Sequence, residues 1–223
     1  AMFNVNRPNL DIYRELLKGT GEENLIKDCS YLYVSRKELG INLNGLEWKL
    51  RKERGVPFEQ ITGDAAREIE PDLSSDIKSA VLIKNQGRTL NPGRLGKVLA
   101  AKAFSLGVCF TKAEVKKIIP LDGGGYDVST DKQKHTADTV VLTAGVWSAK
   151  LLEALGVHVP LEAERGYHLL FKDPGISLTH SVLDTDNKFV SSSMEMGLRS
   201  AGTAEFAGID APPDYRRAYI FKD

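Results

Sequence analysis

Apolar residues recur along this chain with two different periods, and each period predicts a kind of element. Between Asn9 and Lys18, Leu10, Tyr13, Leu16 and Leu17 fall at the spacing of one helix face, and Gly19 is a natural stop. A second helix is predicted from Asn42 to Arg54, closed by Gly55. A shorter helical piece runs from Thr62 to Glu70 and must end before Pro71, because the residue preceding a proline is pushed out of the helical region. Leu90-Asn91-Pro92 reads as a helix entry. Asn91 suits the N-cap, and Pro92 suits the first helical position, where its missing N–H would go unpaired in any case. That helix carries Leu95, Val98, Leu99, Ala103 and Leu106 on one face, and Gly107 ends it.

Stretches without helical spacing are read as strands. They are Tyr31 to Ser35, Val108 to Phe110, and the pair Val115 to Pro120 and Tyr126 to Ser129, a hairpin around Gly123-Gly124-Gly125. Thr139 to Thr143 is apolar enough for a strand covered on both faces. It leads through Ala144-Gly145 into a helix predicted from Trp147 to Leu155, ended by Gly156. Leu161 to Phe171 is a further strand region. From Ser181 to Gly208 short strands alternate with polar turns, as in an antiparallel sheet, and Pro212-Pro213-Asp214 opens a last helix. The implied class is α+β: a mixed or antiparallel sheet with helices, plus a partial βα piece of a second architecture. No internal repeat, low-complexity tract or linker interrupts it.

Bulk properties narrow the functional classes. A chain of 223 residues is long enough to bury a substantial core. Its 30 basic and 30 acidic side chains cancel, which argues against phosphate-driven nucleic-acid binding. The one basic cluster, Lys49, Arg51, Lys52 and Arg54, is expected to be a solvated helix face. Cys29 and Cys109 are far apart, in no metal or redox spacing, and are expected to be small core residues in strands. No apolar run approaches the ~20 residues of a membrane span, and the N-terminus has no signal core. The expected location is cytoplasmic, or peripheral on the cytoplasmic face of an inner membrane.

Glycine-rich matches fail their context tests. Gly19-Thr20-Gly21 follows a helix, Gly123 to Gly125 is a turn, and Gly40 with Gly45 precedes Leu46-Glu47 where a phosphate loop needs lysine and a hydroxyl. His135, His158, His168 and His180 have no metal spacing, and Ser148 is not in a G-x-S-x-G turn. His168 beside Tyr167 is a candidate for a pocket. The segment Ala137 to Gly156 is the most informative. Small residues at Thr143-Ala144-Gly145 let a backbone approach a bulky ligand closely, and helix-start amides favour an anion.

Taken in order, several stretches resemble the D-amino-acid oxidase-like flavoproteins, above all the bacterial D-amino-acid dehydrogenases. They are Asn6-Arg7-Pro8, Tyr13 to Leu17, Glu70-Pro71-Asp72-Leu73, Gly87-Arg88-Thr89-Leu90-Asn91-Pro92, Val140 to Ser148, Pro160 to His168, Gly197 to Gly208 and Pro212-Pro213-Asp214. The resemblance implies FAD in the complete protein and oxidation of the CH–NH2 group of a D-amino acid, with electrons passed to a quinone or carrier. It implies that Val115, Thr143, Ala144, Gly145, Trp147 and Gly166 lie along FAD, and that Tyr167, His168 and Arg199 face substrate. No residue stands out as a catalytic base. The resemblance also implies that residues 1–223 form a central fragment, with about 1–90 and 157–211 substrate-domain-like and about 91–156 partly FAD-domain-like. The family's opening G-x-G-x-x-G turn and its closing glycine- and proline-rich segment are not in this sequence. The isolated chain is therefore expected to bind no FAD and to be inactive. A sarcosine- or glycine-oxidase-like enzyme and a non-catalytic binding module are the alternatives.

Overall fold

The computed structural model describes residues 2–222 and divides them into two compact units. The first comprises residues up to Gly107, Gly166–Thr203 and the segment from Asp214; the second comprises Val108–Arg165 and Ala204–Pro213. The elements, in chain order, are α1 (Met2–Asn6), α2 (Asn9–Leu17), β1 (Ile26–Ser35), α3 (Leu46–Glu53), β2 (Phe58–Thr62), α4 (Gly63–Ile69), β3 (Ser79–Thr89) and α5 (Pro92–Ser105). Then come β4 (Val115–Pro120), β5 (Tyr126–Thr130), β6 (Lys134–Ala137), α6 (Ser148–Glu153), β7 (Glu164–Phe171), β8 (Ser181–Asp184), β9 (Phe189–Met194), β10 (Gly197–Phe206) and α7 (Arg216–Tyr219). A mixed sheet with helices is the class expected from the sequence.

The larger sheet has the order β2-β3-β1-β8-β9-β10-β7. The β2–β3, β3–β1, β8–β9 and β9–β10 ladders are antiparallel, whereas on β1 and β8 Tyr31 to Val34 run parallel to Ser181 to Asp184. Alternation on β1 sorts its side chains to two faces. Leu32 and Val34 join Ala80, Leu82, Ala66, Ile77, Leu178 and Val182 in one buried cluster. Tyr31 and Tyr33 join Val81, Ile83, Ile41 and Trp48 in another, where α3 covers the sheet. A third cluster, Leu17, Leu25 and Leu95, packs α2 against α5. The Lys102 ammonium of α5 donates to the carbonyls of Leu16 (2.8 Å) and Lys18 (3.1 Å), so one helix caps the C-terminus of the other.

The entry to α5 forms as its sequence predicts: the Asn91 side chain accepts from the Arg94 amide at 2.9 Å and Pro92 follows it. Gly87, just upstream, lets α2 approach, since a side chain there would stand 2.1 Å from Leu10. Other expectations are corrected. The helix predicted from Asn42 begins only at Leu46, after a turn in which the Gly45 amide donates to the Asn42 carbonyl. The helix predicted from Trp147 is split into a single tight turn at Gly145–Trp147 and the short α6. The strand region expected from Leu161 begins at Glu164, and the helix expected from Pro212 begins at Arg216.

In the second unit β4, β5 and β6 make a three-stranded sheet that extends the predicted hairpin by one strand. Val108 to Phe110 and Thr139 to Thr143 are not strands. Both runs are apolar, but a strand needs a neighbour to accept its backbone hydrogen bonds, and neither run has a ladder partner among the described residues. Val141 is 79% exposed, and Cys109, expected in a core, is exposed too, whereas Cys29 on β1 is buried. No described helix is long and apolar enough to cross a membrane.

Candidate functional site

Within the first unit a cavity of about 1270 Å³ opens beside β1, β3 and the N-terminal helices. Its apolar wall includes Leu10, Ile83, Leu95 and Leu99, and its aromatic wall Phe3, Tyr13, Tyr31 and Tyr33. Tyr31 and Tyr33 reach the same face because they are two residues apart on β1, and their rings tilt together at 5.3 Å. Five basic residues complete the lining: Arg7, Arg51, Arg54, Lys84 and Arg88. Among the described residues no carboxylate lines it.

The five cations are held differently. Arg51 donates to Tyr33 Oη at 3.0 Å and pairs with Glu47 one turn back on α3. Lys84 pairs with Glu59 at 3.1 Å. Arg88 donates to the carbonyls of Leu178 (2.8 Å) and His180 (3.4 Å), while its Nε and the neighbouring Thr89 hydroxyl are buried with no partner. Arg54 lies 5.8 Å from the Phe3 ring centroid, and neither it nor Arg7 has an ion pair among the described residues. Burial pushes the Tyr31 phenol up to about 12, with Tyr33 adding and Arg51 opposing, so at neutral pH it remains a hydroxyl donor. Burial also raises Tyr33, again opposed by Arg51.

This arrangement suits an anionic ligand with an apolar body. Basic side chains beside an apolar wall favour a negatively charged ligand. The basic cluster expected to be a solvated face borders this cavity in part: half-buried Arg51 and exposed Arg54 line it, while Lys49 and Lys52 do not. The sequence signals were present but local: the Tyr31/Tyr33 alternation, the Arg51/Arg54 helical spacing, and Arg88-Thr89 just before the α5 cap.

The residues named from the sequence lie elsewhere. Tyr167 on β7 is buried, accepts from the Asp214 amide at 2.8 Å and stands edge-on to Tyr215. His168 and Arg199 are exposed on β7 and β10, and none of the three lines the cavity. Gly166 is exposed at the start of the first unit's part of β7. In the second unit Val115 is 37% and Trp147 62% exposed, with Thr143 exposed and Ala144 half-buried between them in sequence. Gly145 has φ +58°, and both it and Gly166 have open space where a side chain would stand. No group of histidine, cysteine and carboxylate side chains among the described residues could hold a metal.

Comparison with known proteins is consistent across sequence and structure. The family described as DAO, FAD dependent oxidoreductase, matches residues 1–222. A D-amino-acid oxidase of Bradyrhizobium diazoefficiens is 31% identical over 212 residues, 95% of this chain and 50% of that protein. A D-amino acid dehydrogenase of Rhizobium rhizogenes is 29% identical over 87% of this chain and 48% of its own length. The chain thus spans about half the length of the curated relatives it matches. Glycine oxidase from Geobacillus kaustophilus superimposes with a TM-score of 0.79 at 21% identity, over 95% of this chain and 57% of that one. L-proline dehydrogenase from P. horikoshii does so with a TM-score of 0.75 at 20% identity, over 93% and 58%. At these identities the structures speak for the fold alone.

Proposed function

Because the chain belongs to the DAO family of FAD dependent oxidoreductases, we propose that the whole protein carrying it oxidises the CH–NH2 group of a D-amino acid. The product is an imino acid that hydrolyses to a keto acid and ammonia. The observation that carries the reading to a site is the cavity of the first unit, with its apolar and aromatic walls and its five basic side chains. Arg88 and Thr89 line the cavity and are the partners of the substrate carboxylate in this reading. Tyr31 contributes a neutral hydroxyl, and Leu10, Ile83, Leu95 and Leu99 exclude water around the substrate body.

FAD is the cofactor of this reading. The residues of the second unit fit it in kind: Val115 and Trp147 are apolar surfaces open to cover, and Thr143-Ala144-Gly145 leaves backbone accessible beside them. These residues of the second unit would hold the cofactor. When bound, FAD supplies the two-electron acceptor for oxidation of the carbon–nitrogen bond. The chain's own residues bind and orient.

The test is anaerobic mixing of the whole flavin-loaded protein with D-alanine and with L-alanine, following visible flavin absorbance. Bleaching by the D-enantiomer alone is expected. Failure of a panel of D-amino acids to bleach the flavin removes the reading. In this reading the electrons pass on to a quinone or carrier, and the Rhizobium relative is called a dehydrogenase. The Bradyrhizobium relative is called an oxidase, which favours oxygen as the second reading. Oxygen consumption during turnover separates the two.

A further inference from the structure

β1 and β3 do not pair evenly. Cys29 faces Gln86 and Tyr31 faces Ile83, so Ser30 alone lies opposite both Lys84 and Asn85. Asn85 takes the left-handed conformation that lets β3 bulge, with φ +58°. The extra residue matters for the cavity. Side chains alternate along a strand, so in a regular ladder Ile83, at an odd position, and Arg88, at an even one, would stand on opposite faces. The bulge brings Arg88 to the face that carries Ile83 and Tyr31, and all three line the cavity.

One side chain from outside that strand pair ties the bulge down. The Ser30 amide donates to His180 Nδ1 at 3.1 Å, across 150 positions of sequence. An amide N–H can only donate, so Nδ1 offers its lone pair and the ring proton lies on Nε2. His180 immediately precedes β8, and its backbone is fixed independently of the ring. Its amide donates to Oε2 of buried Glu70 at 2.9 Å, and its carbonyl accepts from Arg88 at 3.4 Å. His180 itself does not line the cavity. We propose that His180 is a positioning residue for the proposed reaction: its imidazole holds the bulge in place, and the bulge aims Arg88 and Tyr31 into the cavity. The proposal rests on Arg88 being the carboxylate partner in that reaction.

Two substitutions separate the lone pair of the ring from its bulk. His180→Asn keeps an acceptor oxygen near the Nδ1 position, whereas His180→Leu fills similar space with none. In the whole flavin-loaded protein, KM for D-alanine is expected to rise about tenfold in His180→Leu, with kcat within about twofold. In His180→Asn both constants are expected to stay within about twofold of the parent. His180→Ala serves in place of the leucine variant if that one does not fold, with the same contrast expected. An unchanged KM in both variants overturns this proposal and leaves the proposed reaction standing. An equal rise in both overturns it too, since the volume of the ring and not its lone pair would then matter. If the parent oxidises no D-amino acid, the proposed reaction falls, and calorimetric binding of propionate, a carboxylate with no amine to oxidise, decides. Binding that weakens in His180→Leu and is kept in His180→Asn supports the positioning role independently of turnover. Equal or absent binding in all three proteins overturns it.

Discussion

The Arg51 guanidinium lies 4.8 Å from the centre of the Trp48 ring. Trp48 is the buried residue of α3, so the cation covers the exposed edge of the cluster that fixes this helix to the sheet. The same guanidinium lies 5.6 Å from the Tyr33 ring and donates to its hydroxyl. Arg51→Ala is therefore expected to destabilise the protein by about 1–2 kcal/mol, the sum of a cation–π contact and a charged hydrogen bond. Lys52→Ala, one residue on, should stay within about 0.5 kcal/mol. Urea unfolding of the two variants measures the contrast, and equal losses would mean that Arg51 is only a surface charge.

That contrast also shows where the sequence was legible. Local signals were: the α5 cap at Asn91-Pro92, the period of α2, and the β4–β5 hairpin each need only a few consecutive residues, and each formed as read. Non-local ones were not. Ser79 to Thr89 carries five buried residues and was not predicted as a strand; a bulge that places Lys84 and Asn85 opposite Ser30 breaks its alternation. Thr139 to Thr143 failed in the other direction, since composition cannot say whether a ladder partner exists. Membership of the family was legible from ordered motifs. The cavity was not, because Arg88, Arg54 and Tyr31 meet only once β1 pairs with β3 and α3 folds over the face.

Asp184 is 5% exposed at the end of β8 and collects four hydrogen bonds, from the Asp186 and Asn187 amides, the Asn187 side chain and Arg36. Burial raises its carboxyl, but the Arg36 and Asn187 contacts together outweigh that and hold it below the usual carboxylate value. A depressed folded-state value means stability that is present above the unfolded value and lost as pH falls through the folded one. Asp184→Asn should cost about 1–2 kcal/mol near about pH 7, the worth of one charged hydrogen bond to a partly exposed arginine. Below about pH 3 the gap to the parent protein should narrow. Unfolding curves at both pH values check it, and a gap that widens in acid would reverse the assigned sign.

Gly197 opens β10 with φ +127°, and a side chain there would stand 2.2 Å from the Phe171 carbonyl oxygen. Two costs coincide, a left-handed backbone and a steric clash with main chain that cannot swing away. Gly197→Ala should lose about 2–4 kcal/mol. Gly175 also has positive φ, +75°, but open space around it. Gly175→Ala should lose only about 1 kcal/mol, the backbone term alone. Thermal unfolding of both variants separates space from conformation, and equal losses would show that the carbonyl moves aside.

Holding a dinucleotide takes a diphosphate site, usually backbone amides of a glycine-rich turn at a helix start. The sequence has no G-x-G-x-x-G, and the tight turn at Gly145 is followed by a helix of only six residues. Residues 1–223 by themselves are therefore expected to bind FAD more weakly than about 10 μM, read by flavin fluorescence during titration. In the whole protein, Trp147→Ala should weaken FAD retention by about tenfold if that 62% exposed ring is covered by the cofactor. Unchanged retention would remove Trp147 from the cofactor site. Stoichiometric, tight binding by residues 1–223 would instead mean that the chain builds a flavin site from residues other than a fingerprint turn. D-amino acids should then be tested on that complex directly.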